Sequence, residues 1–249
     1  MLDSTFSMHR RDDYTFSRPL IIADLHTADY LSGLMKGLTH RYNNIVAVIK
    51  GIADLAMMAD SLAEAERENL EHVREAAQGA AKLNDRIIAA AGRARITDQA
   101  LDLGALLRLG EGQLRSIFRG QEVNFELVIP PDLPPVRADP ARLKEIIQEL
   151  LSNAAEASAG GGAILEIVGP GVASPAEDER VDLFVRNEGP TIAAERLPDI
   201  FRPFQSSKGS GHHGLGLAIA AALAGQMGME LAVKSWEGRT SFWLSCPVA

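Results

Sequence analysis

At 249 residues, with 46% hydrophobic and 23% charged residues, the chain has material for one large domain or two ordinary ones. A formal charge of −8, from 25 Lys and Arg against 33 Asp and Glu, argues against broad nucleic-acid binding. Cys246 is the only cysteine, which excludes an intramolecular disulfide and a cysteine metal cluster and suits a reducing cytoplasm, and no apolar run approaches the length of a bilayer span or a secretion signal, so direct membrane insertion is not expected.

Residues 1–28 mix charged, aromatic and proline residues without a sustained period, and Pro19 interrupts any helix there. They read either as a tail without fixed structure or as a short packing or dimer-swapping arm. From residue 29 to 60 the pattern changes. Leu31, Leu34, Met35, Leu38, Ile45, Val48, Ile49, Ile52, Leu55 and Ala56 recur at spacings of three and four, which predicts one apolar stripe along a long helix. His40 falls nearly opposite the middle of that stripe, with Asn44 one turn further on the same face. An outward imidazole, largely neutral near pH 7, is a competent nucleophile.

A turn is expected around Asp60 to Glu64, followed by a second striped helix carrying Leu70, Val73, Ala77, Ala80, Leu83, Ile87, Ile88 and Ala91. Two such helices joined by a short connection form an antiparallel hairpin that leaves much apolar surface wet. Two copies would close a four-helix bundle, which predicts a homodimer through this region; the alternative is packing of the hairpin on its own C-terminal domain.

Past Ile96 the texture becomes mixed. A helix is expected from Leu103 to Phe118 and closed by Gly120, then a strand over Val123 to Ile129 and the rigid turn PPDLPPV. Asp139-Pro140 opens a helix through Ala157, with Asp139 as N-cap and Pro140 in the first turn. Strands are expected over Ala163 to Val168 and Val181 to Val185, joined by the polar connection GPGVASPAEDE. The chain ends on a Gly-rich loop, a helix over Leu215 to Met227, and strands over Glu230 to Ser235 and Thr240 to Cys246. This order describes a two-layer α/β sandwich with helices on one sheet face.

Three clusters in this second half carry chemistry. Glu149 and Asn153, four apart in the Asp139 helix, present hard oxygen donors suited to Mg²⁺. Asn187-Glu188-Gly189-Pro190 follows the Val181 strand; Gly189 lets backbone approach a planar ligand, and Asn187 can accept from and donate to an exocyclic amine and its ring neighbour. Gly209 to Leu217 runs into a helix, so Gly214 and Gly216 would leave backbone N–H groups available to phosphates, with Lys208 in reach of a phosphate tail. The loop is neither a Walker A nor a Rossmann loop, and His212-His213 has no neighbouring ligand set for a metal.

In order and spacing these features resemble a bacterial two-component sensor histidine kinase core, over roughly residues 29–249. HRYNN resembles the phosphoacceptor box, ELLSNAAEA the N box, NEGP the first glycine box, FRPFQSSKG the phenylalanine box and nucleotide lid, and GHHGLGLAIA the second glycine box. The resemblance implies a dimerising histidine-phosphotransfer hairpin over 29–95, then a GHKL-type ATP-binding domain over 101–249. It implies ATP and Mg²⁺, with Asn153 at the metal position, and a response-regulator receiver domain as partner. A separate sensor protein, or regulation through residues 1–28, is compatible with the absence of a recognisable sensory domain.

The chain departs from the family at several positions. Arg41 stands where an acid usually follows the phosphoacceptor, and arginine cannot act as a base at physiological pH. Asn187 replaces the adenine-binding aspartate, Thr191 and Arg239 replace glycines, and His212 replaces a glycine of the second box. The resemblance therefore implies an ATP-dependent kinase that autophosphorylates on His40 and passes the phosphoryl group to a regulator aspartate. The alternatives are a histidine phosphotransfer protein whose degenerate ATPase-like domain only docks, and a GHKL scaffold or anti-sigma-like binding module.

Overall fold

The computed structural model describes residues 11–17, 25–59, 62–158, 161–169, 180–205 and 214–249. These fall into two compact units, one made of 11–17 with the chain from Ala94 to Ala249, the other ending at Arg93.

The helical unit is an antiparallel pair, α1 (Leu25–Met57) and α2 (Glu64–Ala90). The amino end of α2 is closed by Glu66, whose carboxylate accepts from the Ala63 N–H at 3.0 Å. Small and branched side chains make the seam between the helices: Val46, Ala53, Ala77 and Ala89 are buried. A polar pair lies in the same seam, where Asn84 Nδ2 donates to Asn43 Oδ1 at 2.8 Å. The apolar stripe of α1 lies beside this seam rather than on it, and much of it is left wet, as the sequence leads one to expect. Leu38, Ile45, Val48, Ile49, Ile52 and Leu55 stay exposed within one chain, with Ile52 at 62% and Leu55 at 70%. Spacing alone cannot separate two adjacent seams about 100° apart on one helix, so the stripe in the sequence is the one α2 leaves uncovered.

The second unit begins with β1 (Thr15–Phe16), which follows a short 3-10 turn. After the hairpin come β2 (Gln99–Leu101), α3 (Leu103–Ser116), β3 (Asn124–Val128), β4 (Val136–Ala138) and α4 (Pro140–Ala157). Then follow β5 (Gly162–Val168), β6 (Arg180–Glu188), α5 (Gly216–Gln226), β7 (Glu230–Trp236) and β8 (Arg239–Pro247). Six strands form one sheet in the order β1-β7-β8-β6-β5-β3, with β3 parallel to β5 and the other neighbours antiparallel; β2 and β4 form a separate ribbon.

Strand alternation sorts the two faces of this sheet. Leu165, Leu183, Leu231 and Leu244 point to the helix side, where they meet Ile146, Ile147, Leu150, Ile219 and Leu223. The outer face carries Phe184, Trp243 and Ala232, and residues 11–17 cover it. Tyr14 packs edge-on to Trp243 with ring centroids 5.4 Å apart, and its hydroxyl shares a 3.0 Å hydrogen bond with Ser241 Oγ. Burial, only partly offset by that bond, raises the Tyr14 pKa. Arg11 pairs with Glu230 at 2.6 Å and Lys234 with Asp13 at 3.2 Å, so the segment is tied to the edge strand by backbone, ring and charge.

Asp139 is the joint of the unit. Its Oδ1 accepts from the N–H groups of Ala141 and Arg142 at 2.9 and 3.1 Å, capping α4, while Oδ2 accepts from the Thr97 N–H at 2.8 Å. Burial works to raise its pKa, but these three N–H bonds and the Arg142 charge outweigh it and hold the carboxyl below the ordinary range.

Candidate functional site

The site is built where the amino end of α5 meets the polar ridge of α4. Asp139 starts α4 in a phase that buries Leu143, Ile146, Ile147, Leu150 and Leu151, which turns Glu149 and Asn153 to the opposite, half-buried side. Asn153 Nδ2 donates to the Glu149 carbonyl at 2.8 Å, leaving its Oδ1 to the cleft. Gly216, the first residue of α5, lies directly on this pair: a Cβ there would fall 2.5 Å from Glu149 Oε2 and 3.7 Å from Asn153 Nδ2. Among the described residues no side chain caps α5, in contrast to α4. Its first-turn N–H groups, and the positive end of the helix, therefore face the cleft beside a carboxylate and a carboxamide.

The floor comes from β6. Asn187 was expected just after a strand ending at Val185; the strand continues through Glu188, and Asn187 sits inside it on the helix-facing side, 2% exposed. It pairs in register with Ala163 of β5 and Thr240 of β8. Gly189 then passes so close to the end of α4 that a Cβ would lie 2.4 Å from the Ala157 carbonyl oxygen, while its N–H donates to the Gly238 carbonyl at 2.8 Å.

Thr240 belongs to this floor, and the motif reading missed it. It is 4% exposed and its hydroxyl shares a 3.0 Å hydrogen bond with Ser235 Oγ, which also accepts from the Ile192 N–H at 2.9 Å. The signal was in the alternation: Thr240 shares a face with Phe242, Leu244 and Cys246, and a hydroxyl on an otherwise apolar strand face marks a polar pocket. Thr191, where the resemblance leads one to expect glycine, accepts from the Gly238 N–H at 2.7 Å and so fastens the Gly189 loop to the turn before β8.

Gly214 closes the neck of the lid sequence. Its φ is +61°, that of Phe204 is +62°, and the Phe204 N–H donates to the Gly214 carbonyl at 2.8 Å. A Cβ at Gly214 would lie 2.9 Å from Gln205 N, so this neck admits only glycine there. Lys208, His212 and the rest of 206–213 lie outside the described residues. His40 lies on α1, but its side chain is outside the described residues; Asn44, one turn on, is exposed. Thus Glu149, Asn153 and Gly216 converge on one cleft, Asn187 and Gly189 line its floor, and Gly214 closes the lid neck. The hairpin residues lie on a separate unit.

A half-buried carboxylate and carboxamide, uncapped backbone donors and close-approach glycines together fit a polyanionic ligand with a flat base and a hard divalent ion. Residues 138–249 match the family described as histidine kinase-, DNA gyrase B- and HSP90-like ATPase. The chain carries a GHKL-type histidine-kinase ATPase domain behind a helical region. It is 29% identical over 98% of its length to the sensor histidine kinase ZraS of Escherichia coli (strain K12), and 30% identical over 85% to the C4-dicarboxylate transport sensor protein DctB of Rhizobium meliloti (strain 1021). It spans 51% of ZraS and 34% of DctB. Among solved structures it is similar to full-length ShkA in complex with AMPPNP, with a TM-score of 0.71 and 25% identity over 87% of this chain and 46% of that one. Among the described residues no helix is long and apolar enough to cross a membrane.

Proposed function

We propose that this chain is an ATP-dependent protein-histidine kinase that autophosphorylates on His40 and transfers the phosphoryl group to an aspartate of a response-regulator receiver domain. The observation that carries the reading is the seating of Gly216, at the uncapped start of α5, against Glu149 and Asn153. Asn153, with Glu149 behind it, would hold Mg²⁺, which supplies charge neutralisation on the phosphates when bound. Gly214, Gly216 and the first N–H groups of α5, with Lys208, would hold the phosphates. Asn187 and Gly189 would take the base.

The transfer forms an N–P bond to the imidazole of His40, breaks the bond between the γ-phosphorus and its bridging oxygen, and releases ADP. The imidazole proton leaves to solvent or to a neighbouring acceptor; Arg41 cannot accept it. Most of the rate enhancement would come from positioning and charge neutralisation. Asn44, on the face predicted for His40, would orient the acceptor region. The exposed stripe of Ile45, Val48, Ile49, Ile52 and Leu55 supports a homodimer closed as a four-helix bundle.

Arg41 favours a second reading, a phosphotransfer protein fed by an already phosphorylated regulator. Incubation with labelled ATP and Mg²⁺ separates the two. Acid-labile, base-stable label that disappears in His40→Ala is expected for the kinase. Nucleotide binding without label, together with uptake of phosphoryl groups from a phosphorylated receiver domain, would replace the first reading with the second.

A further inference from the structure

Asn187 is a buried carboxamide with little to do inside the protein. It is 2% exposed, and among the described residues its side chain makes one hydrogen bond, a long 3.3 Å contact from Nδ2 to the carbonyl of Glu188. A buried amide ordinarily uses more of its capacity, two donors and a carbonyl with two lone pairs. Around it, Ala163 contributes only a methyl group, Thr240 is engaged with Ser235, and Gly189 keeps the space beside Asn187 Nδ2 clear, since a Cβ there would fall 3.3 Å from that nitrogen. The unused hydrogen-bonding capacity therefore lies at the cleft floor.

A carboxamide differs from a carboxylate in one respect that matters for reading a purine. Adenine offers a donor at its 6-amine beside an acceptor at N1. A 6-oxopurine offers an acceptor at O6 beside a donor at N1. A carboxylate only accepts, so it matches the amine and repels O6. A carboxamide matches adenine with Oδ1 toward the amine and Nδ2 toward N1, and matches a 6-oxopurine after a half-turn about its last torsion. The half-turn gives up the long contact to Glu188 and brings Oδ1 toward that carbonyl, a penalty that sets a modest preference between the two bases.

We propose that Asn187 makes the base pocket accept 6-oxopurine nucleoside triphosphates as well as ATP. The inference rests on the assignment of the cleft floor to the base, and it gives position 187 a role in substrate choice that the triphosphate and metal contacts do not share.

The test is titration calorimetry of the full chain with ATP and with inosine triphosphate, each with Mg²⁺, for the native protein and for Asn187→Asp. Inosine triphosphate presents O6 and N1–H without the additional 2-amino group of guanine. The expected native result is affinities within about tenfold of each other, and in Asn187→Asp a further loss for the inosine nucleotide relative to ATP of about tenfold or more, the size of one buried polar group left facing a mismatched partner. A native preference for ATP beyond about tenfold overturns the inference while leaving the nucleotide site standing, as does an unchanged ratio in the variant. Binding of neither nucleotide overturns both this inference and the base-site assignment beneath it. The native comparison needs no substitution, so it decides the matter even if a carboxylate at this buried position prevents folding.

Discussion

Two glycines of the cleft should respond to the same substitution in opposite ways. In Gly216→Ala the new methyl group would stand 2.5 Å from Glu149 Oε2, but what it meets is the tip of a flexible, half-buried side chain. Moving that tip off its rotamer costs about 0.5–1.5 kcal/mol, against a gain in helix propensity of up to about 1 kcal/mol, so stability should change by less than about 1 kcal/mol. Function should not be spared, because Glu149 must vacate the place beside Asn153: Mg-ATP affinity should fall at least about tenfold, the loss of one charged contact. In Gly189→Ala the methyl group would stand 2.4 Å from the Ala157 carbonyl oxygen and 3.1 Å from its carbon, both backbone at the end of α4. The Gly189 N–H is held at 2.8 Å by the Gly238 carbonyl, so neither strand nor helix can give way alone, and overpacking should cost about 1–3 kcal/mol or more. Both tryptophans, Trp236 and Trp243, lie in this unit, so their fluorescence during urea unfolding reports its stability without the hairpin. Calorimetry with Mg-ATP on the same samples completes the comparison. A Gly216→Ala protein that binds normally, or one that loses more than about 2 kcal/mol, would refute the geometry argued for this cleft.

Asp139→Asn keeps a capping oxygen for α4 but turns an NH2 toward the Thr97 N–H, so it should lower stability at neutral pH by about 1 kcal/mol. Because the folded pKa of Asp139 lies below its unfolded value, its contribution is present above the unfolded pKa near 3.9 and is lost as pH falls through the folded one; the deficit of the variant should therefore close as acid takes the pH below that folded value, as read by urea titrations across pH. The Cys246 thiol, fully buried with its pKa pushed up to about 12, should react with a maleimide no faster than the protein opens, and rapid labelling of the native chain would contradict its placement. Ile52→Lys should convert a dimer to a monomer in sedimentation equilibrium with little loss of helical circular dichroism, since Ile52 is 62% exposed within one chain; a dimer that persists would exclude the stripe as its interface.

The sequence made visible those parts that rest on local chemistry. Asp139-Pro140 marked the start of α4 because a cap and a first-turn proline are signals within two residues, and the helix runs to Ala157 as expected. The hairpin helices were legible from their periods, but which apolar positions face α2 was not, since Val46 and Ala53 are few and lie beside the longer stripe. Pairing partners were less visible. Nothing in Gln99–Leu101 or Thr15–Phe16 is long enough to show a two-residue alternation, and both form strands only because a distant edge accepts them. In the cleft, motif order pointed to Glu149, Asn153, Asn187 and the glycines, and alternation marked Thr240, whereas its pairing with Ser235 emerges only when the register of β7 on β8 sets them side by side.

That register also bears on whether the departures from the family pattern describe decay. A pocket no longer held to its ligand would be expected to collect changes that loosen its walls. Here the replacement at Thr191 adds a hydroxyl that takes the Gly238 N–H at 2.7 Å, and Gly238 in turn holds the Gly189 N–H through its carbonyl. Ser235 secures the next turn of the same loop at the Ile192 N–H and shares its hydroxyl contact with Thr240. The wall that carries Gly189 is thus tied at three points, of which the bond to the Thr191 hydroxyl is the one that glycine at 191 could not supply. Gly216 and Gly214 keep the close approaches that exclude any side chain larger than hydrogen without rearrangement. A change that strengthens the loop, beside glycines still under steric demand, is what the proposed nucleotide site would require. A surface kept only for docking a partner would place no such demand on the interior of the cleft.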